Sequence, residues 1–351
     1  MIKLALLYGG ASPEHSVSCV SALGIYSAID KKKYEVIPIG ITPTGRFVLH
    51  HIDSNWRLAD YPKVSEASPE LLMPLGGGEL KLVGGESLGQ IDIAFPVLHG
   101  VNGEDGSIQG LLQLCGIKYV GNGVLASALA MDKVYSKRVF RQAGLAVAED
   151  MVIDKQSWKL DPSKALKDAE QFISPACFVK PARSGSSVGV SKVKDKLALS
   201  AAIDSAMQFD EKVLVEKQVV GREVECSVLE RPDGSLLVSL AGEIKLHGRE
   251  FYDYQAKYID DSAELLVPTN LTQEQLKQMQ QAAITAFRAI GCSGLARTDF
   301  FLTEQGFVIT EINTMPGFTP ISMYPSLLAA TGLSYPELVD TLIQTGLVAK
   351  R

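Results

Sequence analysis

Cysteine is scarce in this chain of 351 residues, and nothing in its spacing pairs it. The five cysteines, Cys19, Cys115, Cys177, Cys226 and Cys292, show no CxxC spacing and are odd in number. That argues against a disulfide framework and implies buried thiols in a reducing compartment. Basic residues are in deficit: 34 lysines and arginines against 40 acidic residues leave a net charge of −6. Nucleic acid is therefore not expected as a main partner, although a local basic pocket stays open. A long apolar run is also missing. The longest uncharged stretch, between Glu311 and Glu337, is interrupted by Pro316, Pro320, Pro325 and Pro336, so no membrane span is expected. The opening MIKLALLYGG is too short and too soon broken by Gly9-Gly10 to read as a signal peptide, so the expected location is cytoplasmic. No Gly-Lys dipeptide occurs, which excludes a Walker A loop. The glycines of GGASPEHSVS do not fit G-x-G-x-x-G, the dinucleotide fingerprint.

What is present is an ordinary globular composition, 46% hydrophobic and 21% charged, in a chain too long for one core. Residues 2–8 read as a buried parallel strand, followed by a helix ending near Ala28. Residues 34–42 and 91–100 read as two further strands, with loops and short strands between them. Ligands gather at the carboxyl ends of parallel strands, where Glu14 and His99 fall. The stretch 125–144 reads as one long helix closed by Gly144. A strand ending at Lys180, a glycine-serine loop, a second strand, a helix near 196–208 and the strand VLVEK follow. A helix over 272–290 stopped by Gly291 and a last helix from Ser334 complete the pattern. The expected boundaries are 1–121, 122–215 and 216–351.

The stretch RTDFFLTEQGFVITEINTMPG, Arg297 to Gly317, reads as a hairpin with the three-residue loop Glu304-Gln305-Gly306. Pairing Thr303 with Phe307 sets Asp299 opposite Glu311 and Arg297 opposite Asn313, all four on one face. The opposite face is Thr298, Phe300, Leu302, Val308, Thr310 and Ile312. Two opposed carboxylates repel unless a cation lies between them, and Asn313 adds a neutral oxygen. Such a sparse oxygen set suits Mg²⁺ completed by substrate phosphates. A surface hairpin with solvated charges would show the same alternation.

FVKPARSGSSVGVSKV reads as a flap between antiparallel strands whose amides and hydroxyls wrap phosphate oxygens, with Lys180 as a point charge. An ordinary glycine hairpin has the same composition. The G-x-S-x-G within it raises a serine hydrolase, but a nucleophile elbow needs a helix after the turn, and VGVSKV alternates as a strand. In VLVEKQVVGREVECSVL, Glu216, Glu223 and Glu225 stand out; a Glu-Lys pair leaving a strand can meet an adenine, and Glu223 a ribose. A half-exposed strand is the plainer reading. The polar, aromatic HGREFYDYQAKY, residues 247–258, reads as a lid carrying Lys257 and Tyr258, or as a surface loop. Glu14 can hold an ammonium group or simply stabilise a helix start. Lys133, in AMDK, fits a solvated helix position.

In this order, GGASPEHSVS, LHGVNGEDGSIQG, AMDK, VKPARSGSSVGV, VEKQVVGREVECSV, YDYQAKY, RTDF and EINTMPGFTPIS resemble the D-alanine–D-alanine ligase family over nearly the whole chain. The resemblance implies a mixed α/β, ATP-grasp fold of three domains, with nucleotide held between the central and C-terminal ones. It implies ligation of two D-alanines with ATP and two Mg²⁺ ions, or Mn²⁺, and a homodimer. It assigns Glu14, Ser186 and Tyr258 to the first D-alanine, and Lys133, Lys180 and Lys257 to phosphates. Glu216, Lys217 and Val219 match adenine contacts and Glu223 the ribose contact. Asp299, Glu311 and Asn313 match metal ligands, Arg297 and the Gly317 amide an oxyanion site, and Ser322 the second substrate's carboxylate. A ligase using D-serine or D-lactate second is the alternative, and a nucleotide-binding regulator without catalysis the bland one.

Overall fold

A computed structural model of the protein describes residues 1–246 and 263–350. In chain order the first region holds β1 (Ile2–Gly9), α1 (His15–Ala28), β2 (Tyr34–Ile41), β3 (Phe47–Leu49), β4 (Leu71–Leu72), β5 (Leu80–Leu82), β6 (Ser87–Gly89), β7 (Ile93–Pro96), α2 (Ser107–Leu114) and β8 (Lys118–Tyr119). Its main sheet has the order β3-β2-β1-β7-β8 and is parallel except at the β3 edge. The central strand β1 is apolar throughout because both of its faces are covered. Leu4, Leu6 and Tyr8 enter one core and Ala5 and Leu7 another, on opposite sides.

The middle region holds α3 (Val124–Met131), α4 (Lys133–Gln142), β9 (Asp150–Asp154), α5 (Lys155–Leu160), α6 (Pro162–Glu170), β10 (Cys177–Pro181), β11 (Ser191–Val193), α7 (Lys196–Ala206) and β12 (Lys212–Lys217). The expected single helix over 125–144 is two. Asp132 is extended (φ −90°, ψ 101°), and its side chain accepts from the amides of Val134 and Tyr135, so it ends one helix and caps the next. The antiparallel sheet β11-β10-β12-β9 packs on α7 through Cys177, Val179, Val213, Val215, Leu199 and Ile203. Residues between β10 and β11 form the flap.

The last region holds β13 (Arg222–Glu230), β14 (Leu236–Leu246), β15 (Ala263–Leu266), α8 (Gln273–Ile290), β16 (Leu295–Thr303), β17 (Gly306–Asn313), α9 (Met323–Ala330) and α10 (Tyr335–Val348). Helix α8 begins with a Thr272–Gln275 capping box and ends at left-handed Gly291 (φ 75°). Its apolar face covers the antiparallel sheet β15-β14-β13-β16-β17. Helix α9 covers the other face at Gly242, where an added Cβ would meet the Met323 sulfur at 2.7 Å. Helix α10 returns to the first sheet, packing Leu338, Leu342 and Ile343 in one core with Ile93 and Phe95.

The hairpin differs from expectation at its turn and agrees at its far end. Thr303 pairs with Gly306 and Phe300 with Ile309, a tighter turn than the expected three-residue loop. A bulge between Phe300 and Asp299 then shifts the register, so that Asp299 does face Glu311 and Arg297 does face Asn313. The expected apolar face changes accordingly: Ile309 and Phe307 pack in the core with Phe300 and Ile312 in place of Val308 and Thr310. The expected lid, 247–258 with Lys257 and Tyr258, lies outside the described residues. The flap is strand, turn, strand, as a phosphate loop requires and a nucleophile elbow does not.

Candidate active site

Three carboxylates stand in one row across the last sheet, because Glu225 pairs with Asp299 and Asp299 with Glu311. Arg297 shares their face. Its Nε and Nη2 each lie 2.7 Å from an Asp299 oxygen, and Nε lies 2.9 Å from Glu225 Oε2. Burial alone would lower the Arg297 pKa; Asp299 and Glu225 reverse that and raise it well above its ordinary value. The Asn313 amide donates to Asp299 Oδ2 at 2.9 Å, and Lys133 Nζ lies 3.5 Å from Glu311 Oε2.

Among the described residues, no three His, Cys, Asp or Glu side chains gather in a metal-holding group. The set available to a cation is two opposed carboxylates and one amide, all hard oxygen donors. That donor set fits Mg²⁺, which keeps water and phosphate in its shell instead of filling a protein cage.

A second cluster belongs to the edge of the parallel sheet and the flap. Glu14 precedes α1, with its amide on Ser12 Oγ at 3.1 Å, and Ser12 Oγ donates to the His99 carbonyl at 3.0 Å. Ser186 Oγ donates to Glu14 Oε1 at 2.6 Å, joining the flap to this edge. Ser186 and Ser187 hold left-handed conformations (φ 49° and 58°), a strain side chains rarely accept without a reason. Lys133 Nζ donates to the Ser184 carbonyl at 2.8 Å, so the lysine spans flap and acidic row.

His99 is buried with Nδ1 3.2 Å from the Met315 carbonyl, 3.8 Å from Glu104, and Nε2 3.2 Å from Ser21 Oγ. Burial acts to lower its pKa, and the Glu104 and Glu14 carboxylates override this to raise it. Ser322 stands at the N-cap position of α9 without a side-chain capping bond; its Oγ accepts from the Thr319 amide at 3.1 Å and lies 2.7 Å from Thr319 Oγ1.

The third cluster lies on β10 and β12. Lys180 and Lys137 both pair with the Glu216 carboxylate. Burial would raise the Glu216 pKa, but the two ammonium groups pull it down to about 2.

Two cavities meet at the acidic row. The larger, about 600 Å³, takes in Glu14, His99, Asn313, Gly317 and Ser322; the smaller, about 210 Å³, takes in Lys180, Glu216, Lys217, Val219, Glu223 and Asp299. Lys133, Ser186, Arg297 and Glu311 line both. The sequence-predicted residues are therefore brought together, apart from Lys257 and Tyr258, which lie outside the described residues. Reasoning from sequence gave no role to Glu225, Glu104 or Lys137. Glu225 was detectable in principle, since it alternates with Glu223 on β13, but its partner depends on a cross-strand register no local pattern encodes.

Two family models match the chain, one described as D-ala D-ala ligase N-terminus over residues 3–122 and one as D-ala D-ala ligase C-terminus over residues 139–344. The chain is 48% identical over 360 residues to the D-alanine–D-alanine ligase of Mycolicibacterium smegmatis, covering 98% of this chain and 95% of the relative. It is 45% identical over 368 residues to that of Corynebacterium jeikeium, covering 98% and 96%. Among solved structures it is similar to the VanG D-Ala:D-Ser ligase from Enterococcus faecalis, with a TM-score of 0.85 at 35% identity over 99% of both chains. It is also similar to the D-alanine–D-alanine ligase from Coxiella burnetii, with a TM-score of 0.82 at 31% identity over 99% of this chain and 95% of that one.

Proposed function

This chain belongs to the D-alanine–D-alanine ligase family, and on that premise we propose how its residues join two D-alanines at the expense of ATP. The fold is ATP-grasp, and the dipeptide serves peptidoglycan precursor synthesis. We read residues 1–121, 122–215 and 216–351 as its three units and the protein as a homodimer. One observation carries the mechanistic reading: Arg297, Lys133, Ser186 and Glu311 line both cavities, so a group activated in one is presented to the other.

In this reading Glu14 takes the ammonium of the first D-alanine, with Ser186 holding the carboxylate by its 2.6 Å bond and Tyr258 completing the set. Lys133, Lys180 and Lys257 meet the ATP phosphates, Glu216, Lys217 and Val219 the adenine, and Glu223 the ribose. Asp299, Glu311 and Asn313 would hold two magnesium ions, which neutralise phosphate charge so that one anion can approach another. The carboxylate of the first D-alanine attacks the γ-phosphorus, giving D-alanyl phosphate and ADP. The amine of the second D-alanine, oriented through its carboxylate by Ser322, attacks the acyl carbon. Arg297 and the Gly317 amide stabilise the tetrahedral oxyanion before phosphate leaves. The flap and lid serve to exclude water from the acyl phosphate.

The test is ADP release with D-alanine alone and in competition with D-serine and D-lactate, followed by mass analysis. D-alanyl-D-alanine as the main product is expected. Its absence would overturn the reading, and a mixed dipeptide with D-serine would move the chain toward the VanG type. Asp299→Ala should lower turnover at least about a hundredfold and weaken Mn²⁺ binding in a spin-resonance titration; unchanged phosphate release would count against the metal assignment.

A further inference from the structure

Glu216 and Asp150 are directly opposed on β12 and β9, an acid pair with the same cross-strand geometry as Asp299 and Glu311. Opposed like charges destabilise a sheet unless something lies between them. Here it is Lys137, from α4, whose Nζ pairs with Glu216 Oε1 and lies 3.2 Å from Asp150 Oδ1. Its side chain is 1% exposed, against 12% for Glu216 and 7% for Asp150, and it lines neither cavity. Lys180 is the other cation on Glu216, but it faces the smaller cavity, where phosphates would draw its charge. Arg141 pairs with Asp150 from the outer side. Among the described residues, Lys137 is thus the one counter-ion of Glu216 that a nucleotide cannot compete for.

We propose that Lys137 is a positioning residue for nucleobase choice: sealed behind Glu216, it holds that carboxylate ionised and in place to accept from the exocyclic amine of adenine. The inference rests on the reading of Glu216 as a base contact. An ionised carboxylate only accepts hydrogen bonds. It therefore welcomes a 6-amino group and opposes the 6-carbonyl of hypoxanthine, whose lone pairs would face its own. Without Lys137, Asp150 would push the Glu216 carboxyl toward its protonated form or away from its position, and a protonated carboxyl can donate to a carbonyl. Discrimination between the two bases would fall.

The experiment compares ATP with ITP, whose base carries a carbonyl in place of the amine, in both nucleotide binding without D-alanine and steady-state ligation. The native protein should prefer ATP by about tenfold or more, the size of a charged hydrogen bond that one ligand can make and the other cannot. Lys137→Met keeps an unbranched side chain one atom shorter and removes the charge. It should bring the ATP-to-ITP ratio within about threefold, with the loss falling on ATP affinity and KM more than on kcat. A native ratio in this variant overturns the proposal. Because the single change leaves two facing carboxylates, Lys137→Met combined with Asp150→Asn relieves the repulsion on Glu216 and should bring the ATP-to-ITP ratio back toward the native value; a ratio as collapsed as in the single variant overturns the proposal. If circular dichroism finds both variants unfolded, Lys137 is a structural residue and the proposal fails. Were the native protein itself indifferent to the base, or Glu216→Gln without effect on the ratio, the reading of Glu216 would fail instead.

Discussion

Asp299 and Glu311 face each other across β16 and β17 because the strand pair bulges between them and the turn. Near the turn the register pairs Phe300 with Ile309; continued unbroken, it would set Asp299 against Thr310 and turn Glu311 toward the core. The bulge spends one residue, Thr310, to bring Glu311 onto the same face as Arg297. Thr310 Oγ1 donates to the Asp299 carbonyl at 2.9 Å, a tie across the irregularity.

Thr310→Val keeps the branched shape and removes that tie. A net loss of about 1 kcal/mol is expected for the hydrogen bond, seen as a five- to tenfold weaker Mn²⁺ affinity, in order of magnitude, by spin resonance. Native affinity in the variant would mean that strand pairing alone holds the bulge.

Arg297 makes a two-pronged contact with Asp299 while also reaching Glu225. Arg297→Lys preserves one charge and forfeits the planar fork. Turnover should fall by about 10²–10³, the cost of removing a main oxyanion donor, with KM for ATP changed far less. A large rise in KM for ATP with native kcat would assign Arg297 to nucleotide binding.

Ser186 separates strain from function. Its φ of 49° favours glycine, while its hydroxyl holds Glu14. Ser186→Gly should therefore unfold no earlier than the native protein, yet need about ten times more D-alanine at the first site. A lower melting temperature with unchanged KM would reverse both assignments.

The Glu216 cluster predicts an acid-sensitive contribution to stability. Although burial would raise it, the two lysines bring the carboxyl to about 2 in the folded protein, against an ordinary 4.5 in the unfolded chain. Because the folded value is the lower one, the stabilisation is complete above pH 4.5 and is lost as pH falls toward 2. The difference corresponds to about 3 kcal/mol. Urea unfolding of Glu216→Gln should show a correspondingly shallower loss over that interval; parallel curves would show that the lysines do not hold this charge.

Much of the architecture was legible locally. The capped helix over 273–290, with Thr272 before it and Gly291 after it, is written in its own residues. So are the buried run of β1 and the helix started by Ser334 and Glu337. Where local signals compete, the pattern misleads: 125–144 looks continuous because its helix formers outweigh one aspartate, yet Asp132 uses its side chain to stop the helix. Helix α9 has no local signature, because the serine at its N-cap position makes no capping bond and is followed by an uncharged, proline-bearing segment whose burial on Gly242 no period reveals.

The candidate site divides the same way. Its residue types, and the alternation that puts Arg297 with Asp299 and Glu311 with Asn313 on like faces, belong to the sequence, since neighbours along a strand obey a period of two. The meeting of those residues with Glu225, Lys133 and Ser186, the insertion of Lys137 between two acids, and the bulge at Thr310 belong to tertiary structure alone. Charge pairing acts through space at a few ångströms, and the chain brings such groups together only when separate sheets and helices have packed.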